Sequence, residues 1–438
     1  MKIGLVSPYD WSYPGGVQDH ILRLATELRA RGHHVRILTP ATGPRSRVVE
    51  YGVYKLGWAA PLHVNGSVAR IAVAPDFTGR LRNVLLREQF DVIHLHEPLA
   101  SALSLSILHL AEITGATHIG TFHAWARAGL TSPPGWAYTS ARAFLGRYFK
   151  RLDGRIAVSP DSAEFVSRFF PGEYRIIPNG VDTTMFNPAV PPQPRFMDGK
   201  LNVLYHGRIE QRKGLKFLLR AIPLIREHFP NTRFLIGSDG PLREAFEKLV
   251  ERAGWPDVVF LGRVPADELP SLYTSAHIFC APSTGGEGQG IVLLEAMASG
   301  RAVVASNIAG YRSVIEHQRD GLLVTPSDHE ELAWAICHLL GNESERARLG
   351  VAGRQRAEAF GWGHVGGEVE DYYEQVRARW LIQARAERTE RTERRDVTSR
   401  QSAISRRPAS AGAAPTTSSS TSRGALAPVA PVGLPAIE

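Results

Sequence analysis

The sequence predicts an α/β protein built from two doubly wound, Rossmann-like domains that face each other across a cleft. Three observations lead to this fold class. Short apolar runs alternate with helix-like stretches, one Pro-rich segment interrupts the alternation, and glycine-rich loops follow several of the runs. Single helices between nearly all-apolar strands are typical of parallel sheets that are covered on both faces.

The strand-like runs form two series on either side of the segment "PAVPPQPRF", which begins at Pro188. The first series is "KIGLVSP" at 2, "HVRILTP" at 34, "DVIHLH" at 91, "HIGTFH" at 118 and "GRIAVS" at 154. The second is "LNVLYHG" at 201, "RFLIGS" at 233, "VVFLGRV" at 258, "HIFCAPS" at 277, "AVVAS" at 302 and "GLLVTP" at 321. We therefore predict an N-terminal domain at 1–187 and a C-terminal domain at 188–360. Ligands of such sheets bind beyond the carboxyl ends of the strands, so the loops there are the candidate site.

The chain beyond residue 360 divides into two further segments. The stretch "FGWGHVGGEVEDYYEQVRARW" carries aromatic and apolar residues and predicts a terminal helix at 361–383 that packs back on the body. Residues 384–438 have few large apolar side chains and many Ser, Thr, Ala and Pro, which predicts a disordered tail. The tail holds nine Arg against four Glu and one Asp, a surplus of four, which is half of the net charge of +8.

Composition excludes several classes of protein. A hydrophobic content of 43% with 21% charged residues is that of an ordinary globular protein. The N-terminus has no basic region followed by an apolar one, and no run of roughly 18 apolar residues occurs, so neither a signal peptide nor a membrane span is expected. Cys280 and Cys337 lack metal-ligand spacing, which predicts reduced thiols in a cytosol. Basic stripes with interleaved aromatics are missing too, so nucleic acid is not an expected partner.

The stretch "STGGEGQGIVLLEAMASG", Ser283 to Gly300, is the strongest functional motif. It predicts a glycine loop at the end of the strand "HIFCAPS", followed by an apolar helix that Gly300 ends. Glycines let backbone N–H groups approach a ligand, and a helix N-terminus favours a phosphate. Glu295, inside the apolar helix, needs hydrogen-bond donors, which ligand hydroxyls would supply, and Glu287 in the loop would reach the ligand beyond its phosphates. These features together describe a sugar nucleotide site. The alternative is a loop that serves only strand–helix packing, with Glu295 paired to an Arg or Lys.

Two further loops lie at predicted strand ends. In "SPYDWSYPGGVQDH", Gly15 and Gly16 open a helix, but the spacing differs from the G-x-G-x-x-G of a dinucleotide site. In "HGRIEQRKG", Arg208 and Lys213 would suit a diphosphate that gains charge as a leaving group. The alternative for this pair is a solvated basic loop.

These motifs resemble those of the retaining nucleotide-sugar glycosyltransferases that have the GT-B fold and a Glu-x7-Glu motif. The matching elements occur in the family's order: "PGGVQDH", "DVIHLHEP", "TFHA", "RIAVS", "IPNGVD", "GRIEQRKG", "GGEGQGIVLLEAMASG" and "AVVAS". Within that family, "PYDWSYPGGVQDH" and "HVNGSVARIAVAP" are most similar to the bacterial phosphatidylinositol α-mannosyltransferases. The resemblance makes the N-terminal domain the acceptor side and the C-terminal domain the side that binds the nucleotide-sugar.

The resemblance also implies a role for individual residues. The implied catalytic residues are His123, Arg208, Lys213 and Glu287. Donor binding would use Gly16, Arg208, Lys213, Glu287, Gly288, Gln289, Gly290, Ile291 and Glu295. Arg208 and Lys213 would bind the diphosphate, Glu295 the ribose and Glu287 the sugar, while His123 would contact the transferred sugar. Tyr9, Asn65, Ser67 and Arg70 would meet an inositol phosphate acceptor. Gly288-Gln289 replaces the Ser-Phe pair that is common after the first Glu, which leaves the donor's sugar and base open.

The reaction that the resemblance implies is transfer of a sugar to an acceptor hydroxyl with retention at the anomeric carbon. Mannose from GDP-mannose and a phosphatidylinositol-like membrane lipid are the expected substrates. A UDP-sugar with another lipid or a soluble acceptor is the alternative, followed by a sugar-nucleotide epimerase and by a binding protein without turnover. A glycosidase fits less well because the basic pair would have no role in hydrolysis. Neither a tightly bound cofactor nor an obligatory metal is expected.

The stretch "FTGRLRNVLLREQF" predicts a helix with an apolar stripe at Phe77, Leu81, Val84 and Leu85. Arg80 and Arg87 flank this stripe on one side and Arg82 on the other, which suits a helix lying on an acidic lipid surface. The alternative is a crossover helix whose stripe faces its own sheet while the arginines extend into solvent. We expect the protein to be cytoplasmic and peripheral at the inner face of the membrane.

Overall fold

The computed structural model describes residues 1–13, 15–42, 52–64, 67–74, 79–123 and 133–405. These residues belong to two compact units, 1–381 and 382–438. No helix in the described ranges is both long enough and apolar enough to cross a bilayer.

The first half of the larger unit contains a seven-stranded sheet and a separate hairpin. Its strands are β1 Lys2–Val6, β2 His34–Thr39, β3 Val53–Lys55, β4 Trp58–Val64, β5 Ser67–Ala74, β6 Val92–His96, β7 Thr117–Phe122, β8 Gly154–Ala157 and β9 Arg175–Ile176. The sheet order is β3-β2-β1-β6-β7-β8-β9, with every pair parallel, while β4 and β5 form an antiparallel pair. The helices are α1 Gly16–Ala30, α2 Arg80–Glu88, α3 Ala102–His109, α4 Ala111–Thr114, α5 Pro133–Phe149 and α6 Pro160–Ser167.

The second half of the unit contains a six-stranded sheet. Its strands are β10 Leu201–Tyr205, β11 Thr232–Ile236, β12 Val258–Phe260, β13 Ile278–Ala281, β14 Ala302–Ser306 and β15 Leu322–Val324. The order is β12-β11-β10-β13-β14-β15, again all parallel. The helices are α7 Leu215–His228, α8 Arg243–Arg252, α9 Leu269–Thr274, α10 Ile291–Ala298, α11 Ala309–Arg312, α12 His329–Gly341, α13 Glu343–Glu358 and α14 Trp362–Ser405. This arrangement confirms the predicted fold class of two doubly wound, Rossmann-like sheets.

Both sheets reverse their strand order at one point, between β1 and β6 in the first and between β10 and β13 in the second. The connections on either side of such a point leave in opposite directions, so that a crevice opens at the carboxyl ends of the two central strands. The loops after β1, β6, β10 and β13 meet these crevices. The motifs that the sequence predicted to bind ligands lie in one of these four loops. The exceptions are the β4–β5 hairpin and the loop after β7.

All of the strand-like runs in the sequence form strands, but β3, β9 and the β4–β5 hairpin were not predicted. The hairpin includes the "NGSVAR" stretch that was treated only as an acceptor motif. Its two strands pair with each other in an antiparallel hairpin outside the main sheet, so they lack the strand–helix alternation on which the prediction depended. Residues 65 and 66, where the hairpin turns, lie outside the described ranges.

Helix α2 corrects the membrane interpretation of its apolar stripe. Leu81, Val84 and Leu85 are buried in the core of the first half, so the stripe faces the protein's own sheet. This is the requirement of any crossover helix, which must cover one face of its sheet. Arg80 and Arg82 are exposed, and so is Arg87, which donates to the Tyr54 hydroxyl at 2.8 Å. Phe77, the first residue of the predicted stripe, lies outside the described residues.

Helix α14 differs in length from the predicted 361–383. It continues to Ser405, so the prediction of disorder is wrong for 384–405, while 406–438 lie outside the described residues. The segment "ARAERTERTERRD" explains the difference, because Ala, Glu and Arg are strong helix formers and Glu and Arg recur at helical spacing. Residues 384–405 have too few large apolar side chains to form a core, but their helix propensity is sufficient for a single helix.

The first turns of α14 pack against the first sheet. Val365, Val369, Tyr373 and Val376 are buried in one core cluster with residues of β1, β2 and α1. The Tyr373 hydroxyl hydrogen-bonds to His94 Nδ1 at 2.6 Å, and the Tyr372 hydroxyl accepts from the amide of Arg155 at 2.9 Å.

We predict that a chain ending at residue 383 keeps the melting temperature of the full chain, because the buried positions of α14 lie before that point. A chain ending at residue 360 should lose its cooperative transition, since each of the four buried side chains contributes about 1.5–3 kcal/mol. Thermal unfolding followed by circular dichroism measures both. A loss of several degrees in the longer chain would contradict this division of the helix.

Candidate functional site

The glycine loop between β13 and α10 is held by close backbone packing. A Cβ on Gly288 would overlap the carbonyl oxygen of His123, and one on Gly310 would overlap that of Glu287. Gly286 has a φ of +76°, which glycine adopts without strain. Close packing, one of the two interpretations of this loop, is therefore real. It also brings the loop into direct contact with the end of β7.

The first glycine loop faces the N-terminus of α10. A Cβ on Gly16 would lie 4.0 Å from the side chain of Ile291, the first residue of that helix. The predicted helix is confirmed, with Gly300 at a φ of +70° just beyond its end. The backbone N–H groups at the start of α10 thus point into the space between the two glycine loops, where the dipole favours an anion.

Glu287 is the centre of a charged cluster. Its side chain is 11% exposed, and its Oε1 lies 2.7 Å from Lys213 Nζ and 2.6 Å from Arg212 Nη1. A buried carboxylate requires such partners, because an unpaired charge in a low-dielectric site is strongly disfavoured. The structure therefore brings together two residues that the sequence assigned separately, Lys213 and Glu287.

Arg212 and Glu210 belong to the same cluster and were not singled out in the sequence. Arg212 Nε lies 2.7 Å from Oε1 of Glu210, whose side chain is 1% exposed. Burial opposes the charge of Arg212, but Glu287 and Glu210 outweigh it, so the pKa of the guanidinium is raised. Arg208 is more exposed, with its Nε 3.6 Å from Glu210 Oε2. Three cations face two carboxylates, which leaves one positive charge to attract an anionic ligand.

The turn Gln211–Lys213 places these cations. It follows β10 and ends at Gly214, which has a φ of +72° and whose Cβ would overlap the carbonyl oxygen of Pro282. The backbone of Thr284 donates to the carbonyl of Arg212 at 2.8 Å. The basic turn is thus fixed against the glycine loop, and the interpretation of Arg208 and Lys213 as a freely solvated pair does not hold for Lys213.

Glu295 has a partner that the sequence did not reveal. The Tyr273 hydroxyl donates to its Oε2 at 2.7 Å, and His206 Nδ1 lies 3.9 Å from the same oxygen. Among the described residues its hydrogen-bond partner is thus a tyrosine and not an Arg or Lys, while Arg23 acts on it only through its charge. Burial raises the pKa of Glu295 to about 7, with the Tyr273 hydrogen bond acting in the opposite direction. Its side chain is 17% exposed, so the carboxyl still reaches the surface of the crevice.

Gln289 ties the glycine loop to the segment that joins the two halves. Its Oε1 accepts hydrogen bonds from the Asn179 amide at 2.6 Å and from Asn179 Nδ2 at 2.8 Å. Gln289 of the Gly288-Gln289 pair therefore has a structural role here. Its backbone amides remain part of the predicted donor site.

His123 lies in a group of buried histidines from three elements. Its Nε2 is 2.9 Å from His96 Nδ1 at the end of β6, and its ring packs edge-on against His20 of α1 at 4.9 Å. Burial lowers the pKa of His123 to about 4 and that of His94 to about 3, and it lowers those of His20 and His96 as well. The rings are neutral near pH 7, so His123 acts as a neutral hydrogen-bonding group there and not as a cation.

His20, His96 and His123 are also the one group in the described part of the chain with nitrogens close enough for a metal ion, within 4.8 Å of one another. Two of those rings already share the 2.9 Å hydrogen bond. Ligands of a tetrahedral zinc ion lie roughly 3.3 Å apart. We interpret the group as a hydrogen-bonded cluster, and the expectation that no metal is required stays a prediction.

The predicted acceptor residues lie on the loop after β1 and on the hairpin. Tyr9 forms a bridge with Ile71, and the Asp10 amide donates to the Arg70 carbonyl at 2.9 Å. Burial, with the charge of Glu97 adding to it, raises the pKa of Tyr9. The structure thus brings together Tyr9 and Arg70. Ser67 is the first residue of β5, and Asn65 lies outside the described residues.

Comparison with known proteins gives two matching family models. The Glycosyltransferase Family 4 model matches residues 14–185, and the Glycosyl transferases group 1 model matches residues 200–342. Phosphatidyl-myo-inositol mannosyltransferase of Mycobacterium leprae is 38% identical over 382 residues, which cover 86% of this chain and 97% of that protein. The protein of the same name from Mycolicibacterium smegmatis is 36% identical over 379 residues, covering 86% and 94%.

Solved structures show the same fold. Sucrose-phosphate synthase from Thermosynechococcus elongatus has a TM-score of 0.68 at 24% identity, covering 86% of this chain and 99% of that one. HepE from Anabaena, in complex with UDP and glucose, has a TM-score of 0.66 at 19% identity, covering 86% and 100%. Both are GT-B proteins, and at these identities the likeness concerns the fold.

We predict that Glu295→Gln stabilises the protein in a pH-dependent way. A carboxyl with a folded pKa near 7 and an unfolded value near 4.5 holds its proton more tightly when folded. Stability is therefore lost as the pH rises from about 4.5 to about 7. Removing this loss should raise the free energy of unfolding by on the order of 3 kcal/mol at pH 8 and much less at pH 5.

Urea unfolding at the two pH values measures the effect, with Glu374→Gln on the exposed face of α14 as the matched control. An equal effect of Glu295→Gln at pH 5 and pH 8 would mean that Glu295 is already ionised in the folded protein across this range.

Proposed function

This chain belongs to the group 1, family 4 glycosyltransferases that include the phosphatidyl-myo-inositol mannosyltransferases, and we propose that it transfers mannose from GDP-mannose to a hydroxyl of a phosphatidylinositol-like lipid. The anomeric configuration is retained in this proposal. The curated relatives support mannose and the lipid, since they carry that name at 36–38% identity. GDP as the carrier follows from the resemblance noted in the sequence.

The observation that carries the proposal is the charged cluster on Glu287, which stands beside the N-terminus of α10. A donor diphosphate that enters between the two glycine loops meets the helix N-terminus, Arg208 and Lys213. Lys213 moves from the carboxylate to the phosphate, and Glu287 gains a free acceptor position for the hydroxyls of the sugar. Arg212 remains on Glu287, so the buried carboxylate stays paired.

The chemistry needs charge stabilisation and no protein nucleophile. As the bond from the anomeric carbon to the phosphate oxygen breaks, negative charge grows on the diphosphate beside Arg208 and Lys213. The acceptor oxygen bonds to the anomeric carbon from the face that the phosphate leaves, and the departing phosphate takes the proton of that acceptor hydroxyl. The protein supplies positioning, with His123 as a neutral contact to the sugar.

The acceptor side of the proposal rests on the meeting of Tyr9 and Arg70. The Arg70 guanidinium stacks on the Tyr13 ring at 4.1 Å, which holds a cation at the mouth of the crevice where a lipid phosphate would lie. We place the protein at the inner face of the membrane, with the exposed Arg80, Arg82 and Arg87 of α2 towards acidic lipid. The apolar stripe of that helix takes no part, because it is buried.

The direct test is a panel of radiolabelled GDP- and UDP-sugars assayed with vesicles that contain phosphatidylinositol. We expect label from GDP-mannose alone to enter the lipid, with retained configuration shown by NMR of the product. Transfer from a UDP-sugar alone would overturn the donor assignment, and turnover of donor to an epimer without acceptor would overturn the reaction class.

We predict that Lys213→Ala and Glu287→Ala each lower kcat by roughly 100-fold, because a lost contact to charge in the transition state costs about 3 kcal/mol. Circular dichroism should show an intact fold. Lys216→Ala, three residues further along and outside the cluster, is the matched control and should retain parental activity. A rate within twofold of the parent for either cluster variant would remove that residue from the mechanism.

The membrane contact predicts that Arg80→Ser/Arg82→Ser/Arg87→Ser weakens binding to acidic vesicles by roughly a hundredfold at low salt, since each cation contributes about 1 kcal/mol. Sedimentation with vesicles measures it. Arg220→Ser/Lys248→Ser/Arg252→Ser, with the same charge change on exposed residues of the second half, is the control. Equal binding by the two triple variants would exclude α2 as the contact.

A further inference from the structure

The end of β6 carries two consecutive residues that both hold His123 of the neighbouring strand. His96 Nδ1 lies 2.9 Å from His123 Nε2, and Glu97 Oε1 accepts the backbone N–H of His123 at 2.6 Å. The Glu97 amide in turn donates to the Thr121 carbonyl at 2.8 Å. Side chain and backbone of His123 are thus each fixed by a different residue of one dipeptide.

Glu97 reaches His123 through an unusual backbone conformation. Its φ is +48°, in the left-handed region that side chains other than glycine, Asn and Asp rarely adopt. Such strain persists only where the surroundings enforce it, and it concentrates at functional sites. The turn directs a buried carboxylate back towards β7, where the backbone N–H of His123 is one of its donors. The conformation therefore serves this contact.

His96 is placed so that it can set the tautomer of His123. Both rings are neutral near pH 7, so a hydrogen bond between them requires a proton on one nitrogen and a lone pair on the other. The ring of His94 is tilted by 35° against that of His96, with the centroids 4.3 Å apart. It does not compete, because its own nitrogens bond to Tyr373 and Thr121 at 2.6 Å each. His96 Nε2 is buried without a hydrogen-bond partner among the described residues, and a buried N–H left without an acceptor is rare, so the proton of His96 belongs on Nδ1. His96 then donates from Nδ1 to Nε2 of His123, and His123 carries its own proton on Nδ1.

We propose that His96 and Glu97 are a positioning pair for His123, in which His96 fixes its tautomer and ring orientation and Glu97 fixes its backbone. Neither residue touches the substrate. With Nε2 engaged, Nδ1 is the nitrogen left for a sugar hydroxyl, and the His123 carbonyl is held against Gly288 of the donor loop. The catalytic consequence rests on the proposed function, whereas the tautomer does not.

The test compares His96→Leu, which removes the hydrogen bond, with His96→Asn, whose amide occupies the place of Nδ1. The first readout is ¹⁵N NMR of the His123 imidazole in the full chain without substrate. We expect a non-protonated Nε2 in the parent and in His96→Asn, and a mixture of tautomers in His96→Leu. His118→Asn, the same change near the start of β7, is the matched control and should leave the His123 signals in place.

The second readout is the kinetics of mannosyl transfer. His96→Leu should lower kcat at least tenfold while KM for GDP-mannose stays within threefold, and His96→Asn should recover most of the rate. The kcat of Glu97→Gln, which keeps an acceptor oxygen, should likewise be higher than that of Glu97→Leu. If His96→Leu does not fold, His96→Gln replaces it, because its longer side chain puts the amide at the place of Nε2.

Two results would overturn the pair. One is an unchanged His123 tautomer and kcat in His96→Leu, and the other is an equal loss of rate in the Leu and Asn variants with a matching loss of melting temperature. If the parent shows the fixed tautomer but transfers no mannose, the positioning of His123 stands and the proposed function falls.

Discussion

A single buried carboxylate, Glu287, governs the arrangement of the site. With its side chain 11% exposed, it needs cationic partners, and it receives them from a different loop, as Lys213 and Arg212. This need joins the turn after β10 to the glycine loop after β13, the two strands between which the second sheet reverses its order. The glycines allow the two loop backbones to approach closely, and the ion pairs hold the loops in contact with each other.

In the proposed function, the same cluster would release a cation to a donor without leaving a buried charge unpaired. Arg212 contacts both Glu287 and the still more deeply buried Glu210. Lys213 shares the oxygen that Arg212 already holds, so its departure leaves Glu287 paired. Removing the last partner of a buried charge would be strongly disfavoured, whereas exchanging one of two is not. Glu295 differs from Glu287, because burial raises its pKa. The ionised Glu295 carboxylate therefore destabilises the folded protein, which nevertheless keeps it at the crevice.

Most of the fold could be predicted from the sequence, because alternating apolar strands and helices leave a local pattern that is readable along the chain. The glycine loop, Glu287 and Lys213 were predicted as site residues because they follow such strands. Arg212, Glu210, Tyr273, His20 and His96 were not singled out, since their contacts join elements that lie far apart in the chain. Tyr273 lies 22 positions from Glu295 and the pairing has no spacing signal. The stripe on α2 could be predicted as an apolar face, but its partner could not. The same apolar face fits either a membrane or the protein's own sheet.

The most direct test of the partner exchange at Glu287 is a crystal structure with a slowly reacting GDP-mannose analogue such as the 2-deoxy-2-fluoro sugar. The account predicts Lys213 Nζ within about 3 Å of a diphosphate oxygen, Arg212 still on Glu287, and a sugar hydroxyl at the position that Lys213 has left. A diphosphate bound away from the α10 N-terminus, with the Lys213–Glu287 pair intact, would contradict it.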